Sequence, residues 1–219
     1  MNYSTRIYKT NSTISFWPVF ILIIILQGCS SIPDNSNMEV STAVENKGDT
    51  TLDKMVELQL TNNSNKSGAI LLSDGLDAFV ARASLAIASE KSLDIQYYLY
   101  HDDTIGGLLT AQILKAADRG VRVRLLLDDF DLDGKDKNLL ILNSHPNIAI
   151  RLFNPFDRKF SRFGQLVTRF GDATRRMHNK MFIADNSMVI LGGRNIGDAY
   201  FDINPERAFS DLDVLLAGK

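Results

Sequence analysis

Apolar and polar positions along this chain switch between the 3.6-residue repeat of a helix and the two-residue repeat of a strand, and the switches mark its elements. Leu76, Phe79, Val80, Ala83, Ile87 and Ala88 recur at helical spacing as far as Glu90-Lys91, which predicts an amphipathic helix over 74–90. Leu93 to Tyr100 reads as an aromatic-rich strand. A second helix is expected over 106–117, with Leu108, Leu109, Ile113 and Leu114 on one side and Arg119-Gly120 ending it. From Val121 to Leu127 the period is two again, Arg122 and Arg124 facing away from Val121, Val123 and Leu125. Residues 136–144 predict a short helix, and Ile148–Phe153, Met188–Leu191 and Leu212–Leu216 predict further strands. Strands alternating with helices predict an α/β fold whose sheet is mixed but mostly parallel and covered on both faces.

The amino terminus follows different rules. Arg6 and Lys9 precede an eleven-residue apolar run from Phe16 to Leu26, broken only by Pro18. A membrane-spanning helix needs about 20 apolar residues, so this run has the proportions of a secretory signal instead. Leu26-Gln27-Gly28-Cys29 resembles a bacterial lipobox. That resemblance implies removal of residues 1–28 and a diacylglyceryl group on Cys29. Ser30 in place of an aspartate then points to the cell envelope at the periplasmic face of the outer membrane. Residues 29–66, rich in Ser, Asn, Thr, Asp and Lys, read as a flexible tether in which Met55–Leu60 could form a short element. The folded domain is expected over 67–219.

Composition narrows the function classes. The chain carries 24 basic and 26 acidic residues, a net charge of -2 and a mean hydropathy of -0.06, which exclude a polytopic membrane protein and a strongly basic nucleic-acid tail. Its single cysteine excludes an intrachain disulfide framework and a cysteine-based zinc cluster. Asp129-Phe130-Asp131-Leu132-Asp133-Gly134 has the opening of a calcium loop, but the twelfth position is Leu140 and a strand precedes it, so a solvated loop at a strand end is the better reading. Nothing in the spacing of His101, His145 and His178 makes them converge on a metal.

The informative stretch runs from Arg175 to Asp185. On a strand His178 and Lys180 point to one face while Met181 and Ile183 pack behind, presenting an imidazole beside an ammonium. That pair suits phosphoryl chemistry: the imidazole attacks phosphorus and the ammonium offsets charge on the non-bridging oxygens. Asn186-Ser187 is a turn, Gly192-Gly193 allows close backbone approach to a ligand, and Asn195 offers an amide donor to the same oxygens. Arg175 and Arg176 are candidate substrate contacts beside the glycines. Between Arg151 and Lys180 there are eight basic residues against Asp157 and Asp172, a net of +6. Phe153, Phe156, Phe160, Phe163 and Phe170 are interleaved with them, a pattern suited to an anionic lipid surface.

Taken together, His178-x-Lys180-x4-Asp185 followed by Gly192-Gly193-x-Asn195 resembles the signature of the phospholipase D superfamily. The likeness extends through Leu93–Tyr98, the Ala116–Asp129 run and Arg194-Asn195-Ile196-Gly197-Asp198, and is nearest to the amino-terminal half of bacterial cardiolipin synthases. It implies a phospholipase D-like domain, one half of the usual two-domain enzyme. By the same resemblance His178 is nucleophile or acid, Lys180 and Asn195 hold phosphate, and Asp185 is a supporting carboxylate. A later acidic residue orients His178; Asp211 fits that place, with Glu206 and Asp213 as rivals. The implied mechanism needs no metal or other cofactor. One histidine attacks a phosphodiester, a second histidine from another motif protonates the leaving alcohol, and water or a second lipid's hydroxyl resolves the phosphohistidine. Only one such motif is present, so the expected partners are a phospholipid substrate, the membrane through the lipid anchor, and a second half, either a homodimer partner or a carboxy-terminal domain. A dimeric nuclease acting on nucleic acid, or an inactive half, are the alternatives.

Overall fold

The computed structural model describes residues 39–45, 47–60, 66–203 and 208–218. The lipobox with Cys29, residues 30–38, 46 and 61–65 of the expected tether, and Glu206 lie outside the described residues. Helix α1 (Thr51–Leu60) precedes β1 (Gly68–Leu72), α2 (Gly75–Ala88), β2 (Ser92–Tyr97), α3 (Thr104–Asp118) and β3 (Arg122–Asp128). There follow α4 (Asp136–Asn143), β4 (Ile148–Phe153), α5 (Arg162–Thr168), α6 (Phe170–Ala173), β5 (Lys180–Ala184), β6 (Met188–Gly192) and β7 (Asp213–Ala217). No helix among the described residues is long and apolar enough to cross a membrane.

Seven strands form one mixed sheet in the order β1-β7-β6-β5-β2-β3-β4, flanked by helices. The balance of pairings differs from the mostly parallel sheet that alternation suggested. Only β2–β3 and β3–β4 run parallel; β2–β5, β5–β6, β6–β7 and β7–β1 are antiparallel. The reason lies after β4, where β5 and β6 make a tight hairpin and β7 pairs antiparallel with both β6 and β1. Among the described residues α2, α3 and α4 pack on one face, over Leu93, Ile95, Val123, Leu125, Phe182 and Ile190. The other face is crossed by the chain's own residues 39–42: Arg124 donates to Ser41 O, Arg122 to Thr42 O and Arg151 to Glu39 O.

That crossing corrects part of the tether expectation. Residues 49–60 are also docked, with Leu52 and Val56 buried and Thr51 bonded to Glu90. The face expected of the first helix is corrected as well. Leu76, Val80 and Ile87 of α2 are exposed, whereas Ala78, Arg82, Leu85 and Ala86 form its buried side. A buried arginine has no apolar signature, yet Arg82 is fully satisfied: Nη2 donates to Asp213 at 2.9 Å, Nε to Tyr97 OH at 2.9 Å and Nη1 to Ala78 O at 2.9 Å. Leu108 and Leu114 of α3 are likewise outside, and Ile105, Leu109 and Ile113 inside.

Candidate active site

The sheet register gathers the chemistry at one end. Antiparallel pairing sets Tyr97 opposite Lys180, and Gly192 opposite Asp213, so the carboxyl ends of β2 and β6 meet the amino ends of β5 and β7. Lys180 opens β5 on the core face with Phe182 and Ala184 and is buried, while His178 lies two residues ahead of the strand and is exposed. The Lys180 Nζ sits 2.7 Å from His178 Nδ1 and 3.3 Å from Nε2, and donates to His178 O at 3.1 Å. Burial pushes the Lys180 ammonium below the ordinary lysine value, with the Asp211 carboxylate opposing that shift. Asn195 is buried beside them; its Oδ1 accepts from Leu99 N at 3.1 Å, which leaves the amide nitrogen, a donor, to meet an anionic oxygen.

The glycine pair does different work from that expected. A β-carbon at Gly193 would collide with the Asp211 carboxylate, and one at Gly192 with Asp213 and Leu212 O. The space they leave is thus taken by the chain's own carboxylates, not held open for substrate. Among the candidates for orienting His178, Asp213 is fully buried and bound by Arg82 and Arg194, whereas Asp211 is half-buried and acts on Lys180. Arg194, in the Gly193–Gly197 run, donates to Leu72 O at 2.8 Å and Tyr200 O at 3.1 Å, which ties β1 to the loop after β6.

Other expected residues are placed elsewhere. Asp185 stands at the far end of β5, about 16 Å from Lys180 at ~3.3 Å per residue. There it is buried and accepts the backbone N–H groups of Glu90, Lys91 and Ser92. Arg176 is engaged internally, donating to Asp128 at 3.0 Å and to Asn154 O at 2.9 Å, and only Arg175 stays exposed. The loop after β3 is not simply solvated: Asp129 is fully buried and held by Arg158 and by Phe156 N, while Asp133 is exposed. His101 lies near Asp103 and Asp131, and His145 near Asp118, so neither approaches a second His-x-Lys arrangement.

Tyr98 was missed by sequence reasoning. Its ring lies 4.7 Å from the His178 ring and 5.8 Å from that of Phe130, with Lys180 Nζ 5.5 Å from its centre. An aromatic one residue beyond β2 is unremarkable until β2 is known to pair antiparallel with β5.

A family model described as the cardiolipin synthase, PLD-like domain matches residues 84–215, which include Tyr98, His178, Lys180, Asp185, Asn195 and Asp211. The chain belongs to the phospholipase D superfamily. Within it, the chain is 49% identical over 158 residues to a protein named cardiolipin synthase C from Escherichia coli (strain K12), covering 72% of this chain and 33% of that one. It is 39% identical over 202 residues to an uncharacterized protein of Helicobacter pylori (strain ATCC 700392 / 26695), covering 91% of this chain and 40% of that one. The chain therefore spans about a third to two fifths of the curated relatives it matches. A solved phosphatidylserine synthase of Haemophilus influenzae Rd KW20 shares the fold at a TM-score of 0.52 and 14% identity, over 75% of this chain and 38% of that one. Members of this superfamily are phosphodiesterases or phosphatidyltransferases, and the chain carries that kind of domain.

Proposed function

We propose that the chain is half of a phosphodiesterase or phosphatidyltransferase that acts on anionic phospholipids through a phosphohistidine. The observation that carries this reading is the Lys180 ammonium lying 2.7 Å from a ring nitrogen of His178, at the sheet end where Asn195 and Asp211 also sit. A ring nitrogen of His178 forms a bond to phosphorus as the bond to the leaving alcohol oxygen breaks. Lys180 and Asn195 stabilise the charge that grows on the non-bridging oxygens. The leaving oxygen takes its proton from an acid on the opposite side of phosphorus. His178 cannot begin on both sides, so a second half supplies that acid, either another copy of this chain or a further domain. Water or the hydroxyl of a second lipid then attacks the phosphohistidine, loses its proton and frees the imidazole. The 49% identity to a protein named cardiolipin synthase C favours lipid over nucleic acid.

The test is phosphatidylglycerol turnover by the full chain across protein concentrations, with mass in solution measured alongside. Activity should rise with association, vanish in His178→Ala and survive chelators. Turnover retained in His178→Ala, or strictly dependent on an added divalent metal, overturns the mechanism. We further propose acylation at Cys29 and residence in the cell envelope, at the periplasmic face of the outer membrane. Labelled palmitate should enter the protein and be absent from Cys29→Ser; equal labelling of both rejects the anchor.

A further inference from the structure

The segment joining β4 to β5 buries Phe156 and Ala173 but leaves a cluster of bulky apolar side chains outside. Phe163 and Val167 lie one turn apart on α5 and Phe170 opens α6 after the break at Arg169, and the three are 76%, 61% and 70% exposed. Phe160, just ahead, is 55% exposed. Two polar side chains of α5, Gln165 and Arg162, face the protein, while Thr168 and Asp172 stay exposed. Gln165 is only 2% exposed; its Nε2 donates to Asp157 O and Phe160 O, and its Oε1 accepts from Asp157 N. Arg162 donates to Phe130 O at 2.8 Å. Helices of a soluble globule turn their apolar stripe to the core, and a cluster of bulky apolar side chains left outside marks a surface built to meet something else.

Charge and position say what that is. Of the eight basic residues of 151–180, Arg158, Arg162 and Arg176 are paired with Asp129, Asp136 and Asp128, and the positive charge left to the surface beside the apolar side chains is that of Lys159, Arg169 and Arg175. Lys159 and Arg175 flank the cluster and are exposed. A second copy meeting this face about a two-fold axis would bring these cations against their own counterparts, whereas anionic headgroups complement them. The segment is also fixed to the His178 end of the sheet: Asn154 Nδ2 donates to Arg175 O at 2.8 Å and Arg176 is bound to Asp128, two residues before His178. Rings run from His178 through Tyr98 to Phe130, whose carbonyl Arg162 holds.

We infer that Phe160, Phe163, Val167 and Phe170 insert into the interfacial acyl region of an anionic phospholipid bilayer, with Lys159 and Arg175 at the headgroups, and so hold the His178 end of the sheet against the membrane. The inference takes its purpose from the lipid-cleaving reading above, but its measurement needs no turnover. Trp17 is the chain's only tryptophan and lies in the apolar leader, so the full chain is used with Trp17→Phe and Phe163→Trp. Vesicles of phosphatidylglycerol and phosphatidylcholine carry bromine on their acyl chains.

The new indole's emission should move to the blue and be quenched by the bromines, and both effects should fail in phosphatidylcholine alone. Phe160→Ser with Phe170→Ser should weaken that quenching on the order of tenfold in lipid concentration, as lost interfacial apolar area predicts. An indole that stays water-exposed and unquenched on anionic vesicles overturns the inference. So does a blue shift without vesicles that grows with protein concentration, which would mean that a second copy covers the patch. Quenching without phosphatidylglycerol turnover supports the membrane contact and counts against the lipid-cleaving reading alone.

Discussion

Replacing Asp185 with alanine should damage stability and leave the chemistry of each folded molecule intact, although this residue closes the superfamily motif. Its carboxylate accepts Lys91 N at 2.8 Å, Ser92 N at 2.9 Å and Glu90 N at 2.9 Å, pinning the entry of β2 to the end of β5. Hydrogen bonds to a charged acceptor are worth about 1.5–3 kcal/mol each when buried, but here only Ser92 is fully enclosed and water can replace part of the others, so about 2–4 kcal/mol is lost. Asp185 and Asn186 also have φ of 52° and 54°, and Ser187 N bonds to Ala184 O at 3.0 Å, which makes a type I′ turn between β5 and β6. Alanine tolerates the left-handed region less well than aspartate, adding about 1 kcal/mol. The expected loss of about 3–5 kcal/mol is a large share of the ~5–15 kcal/mol that holds a domain together. Asp185→Asn keeps an acceptor and a residue suited to the turn, and should lose less than half as much. The assay is urea unfolding followed by circular dichroism, with turnover normalised to the folded fraction. An unchanged midpoint with normalised turnover down on the order of 10²-fold would refute this reasoning and return Asp185 to the catalytic group.

Two further perturbations separate neighbouring roles. Asp213→Ala strands the buried guanidiniums of Arg82 and Arg194 and should cost about 3–5 kcal/mol in the same unfolding assay, whereas half-exposed Asp211→Ala should cost about 1 kcal/mol or less yet slow turnover on the order of 10²-fold; the reverse pattern would make Asp213 the residue that orients His178. Burial favours neutral Lys180, so the folded chain gives up that proton at lower pH than the unfolded chain, and in the window below 10.5 this residue's contribution to stability rises with pH while turnover, which needs the ammonium, falls. The alkaline limb of the pH–rate profile should therefore lie below 10.5 and move upward or vanish in Lys180→Arg; a limb at or above 10.5 in the parent chain rejects the assignment.

Most element positions were legible in the sequence because period depends on near neighbours: β4 begins and ends where the run Ile148–Phe153 does, and α3, β3, α4 and β6 lie within about two residues of their expected bounds. The His178, Lys180 and Asn195 set was legible too, since its spacing lies within one hairpin and the loop that follows it. What periodicity could not supply were decisions made by partners far apart in the chain. Arg82 belongs inside α2 only because Asp213, 131 residues away, and Tyr97 OH meet it there, and the helix turns Leu76 and Val80 outward in consequence. The direction of β5 beside β2 carries no local signature, yet it sets Lys180 opposite Tyr97, brings Tyr98 against His178 and sends Asp185 to the other end of the sheet. Four phenylalanines between β4 and β5 looked alike in sequence. Only the packed structure buries Phe156 under Arg162 and Arg176 and leaves Phe163 and Phe170 in the open, because Gln165 and Arg162 of that segment find their hydrogen-bond partners on the protein side.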